Sequence, residues 1–406
     1  MKRLRAMLDE QARHFERGGK LERLYPLWEA NDTFVFTPGT VTRGASHVRD
    51  ALDLKRLMFS VVVALLGCVY MAMYNTGYQA HLAISRGALP LETWQTEAMR
   101  WLGLPFQPDH LWACIAHGAL YYVPVVIVTL AIGGGWEVLF AVVRRHDVNE
   151  GFLVTWMLFP LILPPTIPLW QVALGITFGI VLGKEIFGGT GMNVLNPALT
   201  ARAFVFFSYP AEMSGDKVWI AAQTSADGVS GATWLAEATL NGEQAISAGL
   251  TWWEAFVGRV PGSMGETSAL ACMAGAAVLV LTGIGSWRIM VSVFVGTLAT
   301  GALLNSIGST TNPFFDVPFH WHFVLGGWAF GTVFMATDPV SAPSADTAKY
   351  TYGFLICCLV VLIRVVNPAY PEGMMLAILF MNVFAPTLDH FVIRANIKRR
   401  RARYAA

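Results

Sequence analysis

Charge is scarce in this chain. Asp, Glu, Lys and Arg make up 14% of its 406 residues, where a soluble domain carries about 25%. Hydrophobic residues make up 55%, and several apolar runs reach the roughly 18 residues that cross a hydrocarbon core of about 30 Å. A soluble enzyme and a disordered chain are both excluded, and one polytopic membrane protein is expected. An excess of one charge is also missing. The 28 Lys+Arg face 27 Asp+Glu, which argues against nucleic acid as a partner. Cysteine pairs are missing too. Cys68, Cys114, Cys272, Cys357 and Cys358 fall inside apolar runs, none in C-x-x-C spacing. They read as buried inert thiols, with neither a disulfide framework nor an iron–sulfur site of the chain's own. The nine histidines show no metal spacing; His320 and His322 flank Trp321 and read as its interface anchors. Residues 1–56 are mixed polar and the first apolar run begins at Leu57, so no secretory signal is read there.

What is present is a series of ten apolar segments. They are read at Leu57–Tyr74, Leu111–Ile132, Gly151–Leu163, Leu169–Gly183, Ala198–Tyr209, Ser268–Leu281, Ile289–Asn305, Trp321–Thr337, Tyr350–Val365 and Met374–Phe391. The expectation is an all-α polytopic membrane protein. It has a cytoplasmic N-terminal segment (1–56), a transmembrane domain (57–393) with an outward loop (210–267), and a basic cytoplasmic tail (394–406). The sidedness rests on the basic residues. Eleven of the 28 lie before residue 57 and six between Arg394 and Arg403. Arg144, Arg145, Lys184, Arg288 and Lys349 fall at segment ends on the same side, which the positive-inside rule makes cytoplasmic. Arg399, Arg400 and Arg401 then read as an orientation signal and anionic-lipid contact. The intervals 75–110 and 210–267 face outward.

Two stretches read as broken or re-entrant helices: 187–198 (Phe-Gly-Gly-Thr-Gly-Met-Asn-Val-Leu-Asn-Pro-Ala) and 260–268 (Val-Pro-Gly-Ser-Met-Gly-Glu-Thr-Ser). Backbone so rich in Gly and Pro is tolerated at membrane depth only when buried in protein or lining a cavity. Asn196-Pro-Ala also echoes in type as Asp338-Pro-Val. Paired interruptions of this kind point to an inverted-repeat, transporter-like arrangement.

Three motifs bear on chemistry. Asp227-Gly-Val-Ser-Gly-Ala-Thr233 lies in the outward interval. Its small residues leave the Thr233 hydroxyl accessible, but on composition alone the stretch reads as a plain Gly/Ser turn. Gly188-Gly-Thr-Gly191 follows no strand, so it is not a dinucleotide fingerprint. Beside it Asn193 and Asn196 are three apart and would share a helix face. Their amides suit a ring edge with donors and acceptors, and helix capping is the alternative. Gly133-Gly-Gly-Trp-Glu137 admits either a flat ligand or close helix packing. Glu137, Glu185, Glu266, Asp338 and Asp389 are carboxylates at or near segment ends, each a functional candidate in a membrane or a partner for Arg202, Arg288 or Arg394.

On the threonine motif, on Leu24-Tyr-Pro-Leu-Trp-Glu-Ala-Asn-Asp-Thr-Phe-Val-Phe-Thr-Pro-Gly39 and on Gly188–Ala198, the chain resembles the B-subunit family of Na⁺-translocating NADH:quinone oxidoreductases, from about residue 20 to 400. The resemblance implies a bacterial inner-membrane component of a multi-subunit complex. It implies FMN joined to Thr233 by an FMN transferase, which reads Asp227, Ser230, Gly231 and Ala232. It implies a riboflavin beside Gly191, Asn193 and Asn196. It implies ubiquinone bordered by Gly133 and Gly134, with Glu137, Phe152 and a covering Trp28. Electrons would run from the covalent FMN to riboflavin to ubiquinone, coupled to Na⁺ export, with Asp389 and Glu137 on the Na⁺ path. Two alternatives stand: the related D-subunit of the ferredoxin–NAD (Rnf) complex, and a flavin-free inverted-repeat transporter. The stretch 24–39 favours the B-subunit family over the first, and colour in the purified protein discriminates the second.

Overall fold

The computed structural model describes residues 2–16, 18–36, 54–146, 148, 151–215, 217–223, 231–367 and 372–405. The described residues are mostly helical. In order the helices are α1 (Lys2–Phe15), α2 (Tyr25–Val35), α3 (Leu54–Ser85), α4 (Trp94–Trp101), α5 (Leu111–Arg144), α6 (Gly151–Leu161), α7 (Leu169–Val181) and α8 (Pro197–Ser208). There follow α9 (Pro210–Met213), α10 (Trp234–Gly249), α11 (Trp252–Val257), α12 (Ala269–Leu281), α13 (Trp287–Ile307), α14 (Trp328–Phe330), α15 (Asp346–Val366) and α16 (Met374–Ala405). Among the described residues six helices are long and apolar enough to cross a membrane: α3, α5, α7 with its following turn, α13, α15 and α16. At about 1.5 Å per residue, the 34 residues of α5 outreach a core of about 30 Å. By contrast the 11 residues of α6 and 13 of α12 fall short of it.

Polar residues do not end the first two segments where the sequence suggests. α3 runs on to Ser85 and α5 to Arg144. The reason lies in how the two pack. A Cβ on Gly77 would sit 2.0 Å from the Cys114 carbonyl oxygen, and one on Gly118 1.8 Å from that of Met73. Each helix thus brings its backbone against the other over a glycine, which is how small residues join membrane helices.

The short helices are completed by each other. Gly265 N–H donates to the Leu161 carbonyl at 2.7 Å and Met264 N–H to that of Leu163 at 3.1 Å. The irregular stretch 260–268 therefore meets the end of α6, and backbone groups left open by both half-length helices are satisfied inside the protein. The segment expected over 321–337 is not one helix. It is a 3₁₀ turn (Phe319–Phe323), α14 and a π turn (Gly331–Met335). Gly326, Gly327 and Gly331 interrupt it, and Trp328 to Ala336 are all buried, so α14 and the π turn lie inside the protein. Trp321 and His322 are buried as well, which corrects their reading as interface anchors; only His320 is exposed.

Leu89–Pro90 (β1) pairs antiparallel with Ala222–Gln223 (β2), Leu89 opposite Gln223. The intervals 75–110 and 210–267 are thus joined at one end of the bundle. The basic tail continues α16 as helix to Ala405. The cysteines are free, four of them buried. The thiols of Cys68 on α3 and Cys272 on α12 touch at 3.8 Å.

Candidate functional site

Two hollows lie toward opposite ends of α8. The first, of about 190 Å³, is lined by Thr233, Trp219, Trp234, Phe206, Glu266, Glu372 and the stretch 260–263 among others. Thr233 is half-buried, with Gly231 buried beside it. It is the N-cap of α10, where its Oγ1 accepts from Ala236 N–H at 3.3 Å. First-turn N–H groups and the helix dipole gather there, which favours an anion at that position. Asp227 and Ser230 lie outside the described residues.

Behind this hollow stands a buried ionic cluster. Arg202 of α8 donates to Glu266 Oε1 at 2.9 Å, to Glu372 Oε2 at 2.8 Å and to Ser263 Oγ at 3.2 Å. The side chains of Arg202 and Glu266 are 4% and 6% exposed. The sequence marks Arg202 as a carboxylate partner. It does not point to Glu372, which lies far off in the chain after α15. Nor does it single out Arg364. That residue is fully buried and donates to the carbonyls of His322, Leu325 and Glu372, holding the broken segment against α15.

The second hollow is a cavity of about 70 Å³. Asn193, Asn196, Thr190 and Lys184 line it, with Thr155 and Gly151 of α6 and with Asp338 and Pro339. The echoing stretches at 196 and 338 thus meet around one cavity. The two asparagines do not share a helix face. Asn196 is the N-cap of α8, its Oδ1 accepting from Ala198 and Leu199 N–H, and Asn193 lies in the turn before it, donating to the Leu195 carbonyl at 2.9 Å. Capping, the alternative reading, is therefore present for Asn196, while both residues still line the cavity. Gly191 adopts φ +90°, the left-handed region that favours glycine. The Thr190 hydroxyl oxygen is buried and has no hydrogen-bond partner among the described residues. An orphan of this kind calls for a ligand or water. Asp338 accepts from the Ser341 hydroxyl at 2.6 Å.

Gly133, Gly134 and Phe152 come together. A Cβ on Gly133 would sit 2.6 Å from the Phe152 ring, and one on Gly134 at 3.4 Å. Gly133 is closed by packing, whereas Gly134 has room. Phe152 follows Gly151, so this place adjoins the second hollow. Glu137 does not stand open at an edge. It is 4% exposed and accepts from the Lys184 ammonium. Lys184 is 2% exposed, so what reads in the sequence as a basic residue marking sidedness is a buried partner. Trp28 is stacked on Phe15 and tilted on Tyr25, in an N-terminal segment whose α2 packs on α5. Its indole N–H is buried without a partner among the described residues. Asp389 uses both oxygens on backbone, accepting from Ser344 N–H at 2.7 Å and Ala345 N–H at 2.8 Å. It holds the turn that leads into α15, in a cluster separate from Glu137. Glu185 pairs with Arg144 at 3.1 Å.

These features define an α-helical membrane protein with two hollows, one lined by Thr233 and one by Asn196. The chain belongs to the NQR2, RnfD, RnfE family, whose model matches residues 41–398. It is 56% identical over 403 residues to the B-subunit of the Na(+)-translocating NADH-quinone reductase of Chromohalobacter salexigens, covering 99% of this chain and 97% of that one. The corresponding protein of Pseudomonas paraeruginosa is 56% identical over 404 residues, with 98% and 99% covered. That of Azotobacter vinelandii is 54% identical, with the same coverage.

Proposed function

We propose that the chain is the membrane redox component of a sodium-pumping NADH:ubiquinone reductase in a bacterial inner membrane. Near-full-length relatives named as the B-subunit of that reductase support this over the D-subunit of the Rnf complex. The observation that carries the chemical reading is Thr233 at the N-terminus of α10, with its hydroxyl on the wall of a hollow. A phosphodiester on that oxygen would place its charge against first-turn N–H groups. Trp219, Trp234 and Phe206 offer apolar walls for a flat ring. An FMN transferase would attach the group during maturation.

In this reading the Asn196 hollow holds riboflavin. Thr190 supplies an unpartnered hydroxyl and the two asparagines supply polar groups. Flavins bound in these places would supply electron transfer; the protein's part is to hold, orient and shield. Electrons would pass from the FMN to riboflavin and then to ubiquinone beside Gly134, Phe152 and Trp28. The short step from Gly151 to Phe152 supports neighbouring sites. Glu137 and Asp389 remain the proposed acidic groups of a Na⁺ path. Both are already engaged, Glu137 by Lys184 and Asp389 by backbone, so a passing ion would have to compete with those partners. The other members of the complex would complete the path.

The test of the whole reading is a flavin analysis of the purified chain. One covalent flavin retained after denaturation and one extractable flavin support it, and a colourless protein supports the transporter alternative instead. Sidedness is tested by Ser247→Cys, an exposed position on α10. An impermeant thiol reagent should label it in whole cells against a low background, since four native cysteines are buried. Labelling only after membrane disruption would put Thr233 and both termini on the opposite sides to those proposed.

Quinone binding is tested by Gly134→Val. The side chain fits against Phe152 at ordinary contact distance, so the fold should hold. The KM for quinone should rise about tenfold, while covalent flavin is unchanged. Gly133→Val, by contrast, should disturb packing and lower the yield of complex. Equal KM in Gly134→Val and wild type would leave the glycine pair with a packing role only.

A further inference from the structure

Lys184 is placed unlike any other cation among the described residues. It follows α7, its side chain is 3% exposed, and its ammonium donates to Glu137 Oε1 across to α5. It also lines the Asn196 hollow. An ammonium has three N–H donors, and among the described residues Glu137 is its one acceptor. A buried cation with donors unused is costly, and the unpartnered Thr190 hydroxyl stands on the wall of the same cavity. Donors in excess point to a ligand rich in acceptors.

We propose that Lys184 sets the charge preference of this cavity. Its ammonium, anchored by Glu137, donates to the oxygen and nitrogen edge of the ring bound there and makes that ring easier to reduce. The proposal rests on the riboflavin reading of the hollow. No bond to Lys184 is made or broken; it is a positioning and tuning residue. A fixed positive charge close to a ring that gains electrons favours the electron-rich form, and low local polarity strengthens the effect. Asp338 on the same wall and Glu137 behind the ammonium oppose it; the Asp338 carboxylate is hydrogen-bonded to Ser341, and Lys184, not Glu137, lines the cavity. Glu185 is turned to Arg144.

Lys184→Gln alone would leave Glu137 buried without its partner, which destabilises a protein for reasons unrelated to any ligand. The deciding variant is therefore the double change Lys184→Gln with Glu137→Gln, studied in the assembled complex beside Lys184→Arg. Two readouts apply: extractable riboflavin per covalent flavin, and the midpoint potential of the extractable flavin by redox titration. Covalent flavin at Thr233 reports that the chain is inserted and matured. The expected result is a lower midpoint potential in the double variant with riboflavin retained, restored towards wild type in Lys184→Arg. Loss of riboflavin from the double variant but not from Lys184→Arg also supports the proposal. A potential that does not move while riboflavin is retained overturns it, and so does equal loss from both variants with Thr233 still modified. Thr155→Phe separates this from failure of the cavity reading. Thr155 is 6% exposed and lines the hollow, so filling it should expel riboflavin. Unchanged riboflavin in a matured Thr155→Phe chain means that the flavin lies elsewhere, and the Lys184 proposal falls with that reading.

Discussion

Thr233→Ala should abolish covalent flavin completely, leaving in-gel fluorescence at background while the chain stays inserted. The loss is expected to be total because alanine has no oxygen to carry a phosphoester. The fold is expected to survive because the structural cost is small. Thr233 Oγ1 makes one capping contact, to Ala236 N–H at 3.3 Å, and losing an N-cap costs about 1 kcal/mol. Trp234 and Leu235 still pack, so α10 should keep its place. Quinone reduction by the complex should fall to background with the flavin, since the proposed route for electrons starts there. Thr233→Ser keeps both the oxygen and the cap. Any loss of flavin in that variant therefore reports the transferase's choice of substrate, not the stability of α10. Peptide mass mapping decides the assignment: a flavin found on any other residue removes Thr233 from the site.

Sequence patterning made the bundle legible because apolar length is a one-dimensional property. Every apolar segment expected from α3 to α16 corresponds to helical or turn structure at the expected place. What escaped was how short segments are completed. Nothing in the run Gly151–Leu161 says that its last carbonyls are met by Met264 and Gly265 N–H, far along the chain. The break at 260–268 was visible in its Gly and Pro, whereas its partner at the end of α6 was not. The same limit applies to the sites. Asn196 and Asp338 could be matched by type, and they do share a cavity. Lys184 could not be told from a solvated sidedness residue, because a charge at the end of an apolar run looks alike whether it meets water or Glu137. The asparagine spacing misled for a related reason. Proline at 197 fixes the first residue of α8 and makes Asn196 a cap, so the helical face imagined for 193 and 196 does not exist.

The largest stability effect is expected from Arg202→Met. Arg202 neutralises two carboxylates at once, Glu266 at 2.9 Å and Glu372 at 2.8 Å, and also reaches Ser263. Methionine keeps much of the volume but leaves both acids facing each other at a site where Glu266 is 6% exposed. Removing one partner from a buried ionic cluster costs about 3–5 kcal/mol, because the charges left behind have lost both water and counter-charge. The loss should appear as a drop in the midpoint of thermal unfolding in detergent and as faster proteolysis of the stretch 260–268, which Glu266 and Ser263 help to hold. Replacing the acids as well separates charge from packing. Arg202→Met combined with Glu266→Gln and Glu372→Gln leaves no unpaired charge, so it should recover most of the lost stability. If the triple variant is as unstable as Arg202→Met, the cluster acts through shape and hydrogen bonds, not through charge. Because Glu266 and Glu372 line the Thr233 hollow, the single change should also reduce covalent flavin in proportion to the fraction of chain that fails to fold, and the triple variant should regain it.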